Sequence, residues 1–195
     1  MKKWILLLVL LTLITCGFFV YRNNPLLFTS VEIGDPIDSL NRVVVYYNAG
    51  TGNVSGRNTA PDGYNIGLKY QCVEFVKRYY YQYYHHKMPN PSGNAVDFYN
   101  KSLPDGNWNT DRGLIQYSNP SLSKPQVGDL IVLDATSPNS YGHVAIISEV
   151  SDHSIEIIQQ NGGRYASSRV NYGLFTEKNH WHVSNSRILG WLRKK

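Results

Sequence analysis

The chain has 195 residues with 19 basic and 14 acidic side chains, a formal charge of +5 that falls to 17 against 14 once Lys2 and Lys3 are set apart with the apolar leader they precede. That excess is too small and too scattered to be a nucleic-acid footprint, so no nucleic-acid partner is expected. With residues 1–21 removed, the remaining 174 suffice for one domain with a sizeable core and are too few for two.

Residues 1–21 read as a membrane-targeting segment. Lys2 and Lys3 precede an apolar run from Trp4 to Val20, and Arg22 closes it. A run of about 17 residues lies near the lower limit for a spanning helix. It is longer than the apolar core of most cleaved signal peptides, and Phe18, Phe19, Val20 and Tyr21 leave no small-residue cleavage site. An uncleaved anchor is therefore the favoured reading, with secretion after cleavage as the alternative and lipidation at Cys16 as a third. The paired lysines place the tail in the cytoplasm and the domain outside, anchored to the membrane at the cell envelope.

Residues 22–42 read as a stalk or entering arm, with Asn23-Asn24-Pro25 as its first breaker, and the domain proper is expected over 43–195. Val43 to Tyr47 forms a short strand-like run. Residues 48–67, rich in Gly, Asn and Pro, read as a long loop, which in a compact domain is often functional. Helical spacing then begins: Cys72, Val73, Phe75, Val76, Tyr79, Tyr80 and Tyr83 recur at threes and fours, predicting a helix over 71–85 that ends before Pro89. A second helix is predicted over 93–101 from Ala95, Val96, Phe98 and Tyr99, followed by irregular chain over 103–125. From Val127 the period changes to strands, over 129–134, 142–150, 154–160 and 187–192. Helices upstream of an antiparallel sheet make the fold class α+β.

Cys72 is the sole cysteine once Cys16 is assigned to the leader, so the domain contains no internal disulfide. A lone exported thiol is a liability unless it is buried or used. At a helix start it gains from the unpaired amides there, which favour the thiolate. His143, at the start of a strand, supplies a base, and Cys and His on separate elements are the arrangement acyl transfer requires. Gln159 and Asn161, at the end of the next strand, can hold the imidazole in one tautomer. Each residue taken alone has a plainer use in packing or in a turn. Asp105, Asn107 and Asn109 imitate the start of a calcium loop, but Thr110 and Gln116 stand where the turn glycine and closing glutamate belong. Neither metal nor cofactor is expected.

The segments Tyr70-Gln71-Cys72-Val73-Glu74-Phe75-Val76-Lys77-Arg78, Pro125-Gln126-Val127-Gly128-Asp129-Leu130-Ile131, Gly142-His143-Val144-Ala145-Ile146-Ile147 and Gln160-Asn161 together resemble the CHAP family of cysteine amidohydrolases and peptidases. Within it the likeness is strongest to the amidase domain of bacterial glutathionylspermidine synthetase/amidase, shared also by Ile188-Leu189-Gly190-Trp191. The resemblance implies a papain-like fold, with Cys72 as nucleophile, His143 as proton carrier and Gln71 as oxyanion donor. It implies Asn161 as the residue that orients the ring, and Gln159 occupies a place where the family commonly has an acid. Lys77 and Gly142 are implied substrate contacts, although Lys77 replaces an arginine and so lacks the planar fork that grips a carboxylate. The expected substrates are peptidoglycan stem peptides or, alternatively, a small amide conjugate. A non-catalytic envelope-binding module is the reading from another class.

Overall fold

The computed structural model describes residues 2–23, 27 and 30–195. Asn24 and Pro25 of the expected breaker lie outside these. Helix α1, Lys2–Asn23, is long and apolar enough to cross a membrane, with mean hydropathy 2.5 over an 18-residue window and none of that window buried. Its threonines do not create a polar stripe: the Thr12 hydroxyl donates to the Leu8 carbonyl at 2.8 Å and the Thr15 hydroxyl to the Leu11 carbonyl at 3.0 Å. Back-bonding of this kind hides hydroxyls within their own turn.

The domain opens with two hairpins, β1 (Pro36–Leu40) with β2 (Val43–Tyr46) and β3 (Arg57–Thr59) with β4 (Asn65–Leu68). Helix α2, Cys72–Tyr83, follows, then a 3₁₀ turn over Val96–Phe98. The remaining strands are β5 (Asn107–Asn109), β6 (Leu114–Ser118), β7 (Leu130–Leu133), β8 (His143–Val150), β9 (Ser154–Ile158), β10 (Arg169–Glu177), β11 (His180–Val183) and β12 (Ile188–Arg193). They form one eight-stranded antiparallel sheet in the order β11-β10-β9-β8-β7-β12-β6-β5. This is the α+β, papain-like arrangement expected, a helix packed against an antiparallel sheet.

Two apolar layers sandwich the central strands. Phe75, Val76, Tyr79 and Tyr80 of α2 pack on Leu130, Val132, Val144, Ile146 and Ile158. On the opposite face Ile131, Leu133, Ala145, Ile147, Ile155 and Ile157 meet Leu174, Val183 and Trp191. Because both faces of β7 and β8 are covered, those strands read as continuous apolar runs instead of alternating ones. Ile158, which breaks the alternation of β9, is buried on the helix side while Ile157 is buried on the other. Of the tyrosine cluster at the end of α2, Tyr79 and Tyr80 are core and Tyr83 is 46% exposed.

Three expectations are corrected. The helix predicted over 93–101 is only the 3₁₀ turn. The Asp97 carbonyl, which a continuing helix would need, accepts from Arg112 at 2.9 Å, and the Phe98 carbonyl accepts from Asn109 at 3.3 Å. The loop over 48–67 contains the β3–β4 hairpin, and the irregular chain over 103–125 contains β5 and β6. These strands are short and largely polar, so they carry little periodic signal.

Candidate active site

Two close approaches position the site. In β4, Gly67 has φ +140° and lies against the first turn of α2, where a Cβ would come within 3.1 Å of the Glu74 Cα. Gly142 has φ +72°, and a Cβ there would meet the Leu133 carbonyl at 2.8 Å, so only glycine lets the chain turn into β8 this close to β7. Immediately before α2, Tyr70 holds a left-handed φ of +66°, and Asn161 another of +57°. Left-handed backbone at a non-glycine residue is maintained only by its surroundings. The Tyr70 bend lies two residues before Cys72, and Asn161 lines the same cleft as Cys72.

Cys72 is the first residue of α2 and is half-buried. The backbone N–H groups of Val144, Val73 and Cys72 itself approach its sulfur and favour the thiolate, but burial outweighs them and pushes the thiol above its usual range. Helix position alone had suggested a lowered thiol. His143, 8% exposed, begins β8, and burial pushes its imidazole down to about 4. The hydrogen bond from its Nε2 to the Gln159 oxygen acts in the opposite sense, and the Arg187 charge adds to the lowering. Thiol and imidazole therefore both rest uncharged at neutral pH.

Antiparallel pairing of β8 with β9 brings Gln159, just past β9, beside His143. The Gln159 Oε1 lies 2.9 Å from the His143 Nε2, and the Gln159 Nε2 donates to the Ser167 carbonyl at 2.9 Å. The ring is thus held by Gln159, in place of the expected Asn161. Asn161 instead donates from Nδ2 to the Gln71 Oε1 at 2.6 Å, and its buried Oδ1 has no partner among the described residues. Gln71, expected as oxyanion donor, directs its Nε2 at the carbonyls of Asn53 (2.8 Å) and Thr51 (3.3 Å). With those donors engaged, the donors beside the Cys72 sulfur include the Cys72 and Val73 amides at the start of α2.

Cys72, His143, Gln71, Asn161 and Gly142 line one cleft of about 470 Å³, whose other wall includes Arg57 and the chain over 91–95. Lys77 does not reach it. It is 1% exposed, donating to the Asn65 carbonyl and, at 2.7 Å, to that of Pro91, with its ammonium 5.1 Å from the centre of the Tyr64 ring. Lys77 thus braces the back of the cleft wall. Its side chain extends from the packed middle of α2, which is why a place five residues after Cys72 is interior here.

Gln160, Glu74 and Arg78 are the supporting residues that sequence reasoning missed. Gln160 is fully buried; its Nε2 donates to the Gln71 carbonyl (3.0 Å) and to Glu74 (2.9 Å), and its Oε1 accepts from the Tyr46 N–H (2.7 Å). Glu74 also pairs with Arg78 at 2.7 Å and accepts from Asn58 at 2.7 Å. The network ties the start of α2 to β2, β3 and the end of β9. The i,i+4 spacing of Glu74 and Arg78 is visible in the sequence, but it ordinarily marks an exposed pair.

A model of the CHAP domain family matches residues 62–161, a span that includes Cys72, His143, Gln159 and Asn161. Among curated proteins, the chain is 31% identical over 107 residues to a trypanothione synthetase of Crithidia fasciculata, which covers 55% of this chain and only 16% of that protein. Among solved structures, the crystal structure of Ly7917 is 20% identical, covering 64% of this chain and 53% of that one with a TM-score of 0.37. The structure of Ly7917 with the hydrolyzing product of MDP is 28% identical, covering 45% and 33% with a TM-score of 0.28.

Proposed function

The chain belongs to the CHAP domain family and carries a cysteine-hydrolase domain of that kind, and from this premise we propose that it hydrolyses an amide bond through an acyl-enzyme on Cys72. The observation that carries the reading is the sharing of one cleft by the Cys72 thiol and the His143 imidazole, with the ring held by Gln159. Because Gln159 donates to Ser167, its oxygen is the atom facing the ring, so the His143 Nε2 carries the proton and Nδ1 is basic. As sulfur bonds to the substrate carbonyl carbon, the thiol proton passes to Nδ1. The oxyanion meets the amides at the start of α2. The imidazolium then protonates the departing nitrogen, and the C–N bond breaks. Water, deprotonated by the same nitrogen, attacks the thioester and releases the acid and the thiol.

The substrate in this reading is a peptide of peptidoglycan. Helix α1 supports it, as a membrane anchor for a hydrolase unit carried beyond the membrane. The local likeness of the Cys72 segment to an amide-conjugate amidase favours a second substrate, a small amide conjugate. The test is mass spectrometry of products after the protein meets purified muropeptides and, separately, glutathionylspermidine, with Cys72→Ala as control. Cysteine-dependent cleavage of muropeptides is expected. Cleavage of the conjugate alone would exchange the substrates, and no product from either would move the chain to the non-catalytic envelope module.

A further inference from the structure

The cleft has a charge asymmetry that the catalytic pair does not use. Among the described residues none of its lining side chains is an aspartate or glutamate, and the charged one on its wall is Arg57, on β3. Arg57 is exposed, and Asn65 accepts from its Nη1 at 2.9 Å, which orients the guanidinium. Behind the same wall lie two more cations, Lys77 and Arg112, each 1% exposed.

Among the described residues neither buried cation forms a salt bridge. Lys77 donates to the carbonyls of Asn65 and Pro91. Arg112 donates to those of Asn90 (2.8 Å), Ser92 (3.1 Å) and Asp97 (2.9 Å), and its Nε is buried without a partner. Asn65, Pro91 and Ser92 themselves line the cleft. Nearby acids offset part of this charge without pairing with either cation: Asp111 and Asp97 favour the charged form of Arg112, and Glu74, paired with Arg78, favours that of Lys77. Carbonyl dipoles solvate a cation but do not cancel its charge, and in a partly buried site the remaining field acts strongly on an entering anion. Burial pushes the Lys77 ammonium down to about 8, with the Arg112 and Arg57 charges adding to the lowering and Glu74 opposing it, which still leaves it charged at neutral pH.

We propose that this wall is a carboxylate subsite: the substrate carries a free carboxylate, gripped by the Arg57 guanidinium and attracted by Lys77 and Arg112 behind it. Asn65 occupies one guanidinium nitrogen, and the others present the flat two-donor edge that matches a carboxylate. The proposal deepens the hydrolase reading and rests on it for the carboxylate's being part of a substrate, while the field itself can be read through Cys72 without turnover.

The experiment compares alkylation of Cys72 by 3-maleimidopropanoate and by its neutral amide, followed by peptide mass spectrometry on the full chain in uncharged detergent. The rate ratio on the unfolded chain is the reference. Wild type is expected to favour the anion by roughly three- to tenfold over that reference, with the preference falling as salt is added. Arg57→Gln should lose most of the preference and Arg57→Lys should keep part of it. An unchanged ratio in Arg57→Gln, or no anion preference in wild type, overturns the subsite. Muropeptide cleavage is scored separately: anion preference without cleavage removes the hydrolase reading alone, and cleavage without preference removes the carboxylate subsite alone.

Discussion

The amide oxygen of Gln159 lies 2.9 Å from the Nε2 of His143, and because the Gln159 nitrogen is held by the Ser167 carbonyl, a neutral amide occupies the place beside the imidazole where a carboxylate would stabilise its charge. Ring orientation and ring charge are thereby separated: the contact sets the tautomer, while burial keeps the ring neutral.

Gln159→Glu should raise the His143 pKa by about 1 to 3 units, since an adjacent carboxylate favours the imidazolium. Nitrogen-15 NMR titration of the ring would measure it, and Cys72 alkylation at pH 7 should quicken in parallel. The new carboxylate faces the Ser167 carbonyl without a proton to donate, so stability should fall by about 1 kcal/mol. Gln159→Leu should slow alkylation and hydrolysis at least about tenfold by releasing the ring.

The buried neutral His143 makes folding acid-sensitive. Its pKa lies near 4 in the folded chain against 6.5 for an unperturbed imidazole, so between those values the unfolded chain binds more protons. Its contribution is complete above pH 6.5 and is lost as pH falls toward 4, reaching roughly 3 kcal/mol. Urea midpoints measured from pH 7.5 to 4 should decline in wild type, and His143→Asn should flatten that part of the slope.

Gln160→Leu should destabilise the fold by about 2 to 4 kcal/mol, because it strips partners from the Tyr46 N–H, the Gln71 carbonyl and Glu74 in the interior. Chemical denaturation gives the magnitude. Cys72 alkylation in the folded variant should lose its dependence on the cleft as the start of α2 loosens. Arg78→Met should cost as much or more, by leaving Glu74 a buried charge without its cation.

Lys77→Met removes donors from the Asn65 and Pro91 carbonyls but also relieves the burial of a cation, so a net loss of about 1 to 3 kcal/mol is expected. Urea unfolding would measure it. A substrate contact at Lys77 would instead show as a raised KM with an unchanged urea midpoint, the opposite pattern.

Local chemistry made much of this molecule legible in advance. The apolar leader, the helix carrying Cys72, the apolar strands β7, β8 and β9, and the placing of His143 at a strand start all follow from residue periodicity and turn residues, which act within a few positions of themselves. The expected second helix failed because a distant residue, Arg112, takes the Asp97 carbonyl. Strand β10 turns Val170, Tyr172 and Leu174 inward with exposed Asn171, Gly173 and Phe175 between them, a period-two signal that the strand assignments made from the sequence do not include.

The sequence by itself determined which chemistry is available: one thiol outside the leader, an imidazole at the start of β8, amides to orient it, and an α+β succession of elements. Tertiary structure alone decided which amide holds His143, that Gln71 faces the loop over 51–53, that Lys77 lies behind the cleft, and that Glu74 and Arg78 are interior. Those outcomes depend on contacts between residues up to about ninety positions apart, such as Gln71 with Asn161. Burial then sets charge states that no local pattern encodes, because desolvation depends on everything packed around a group.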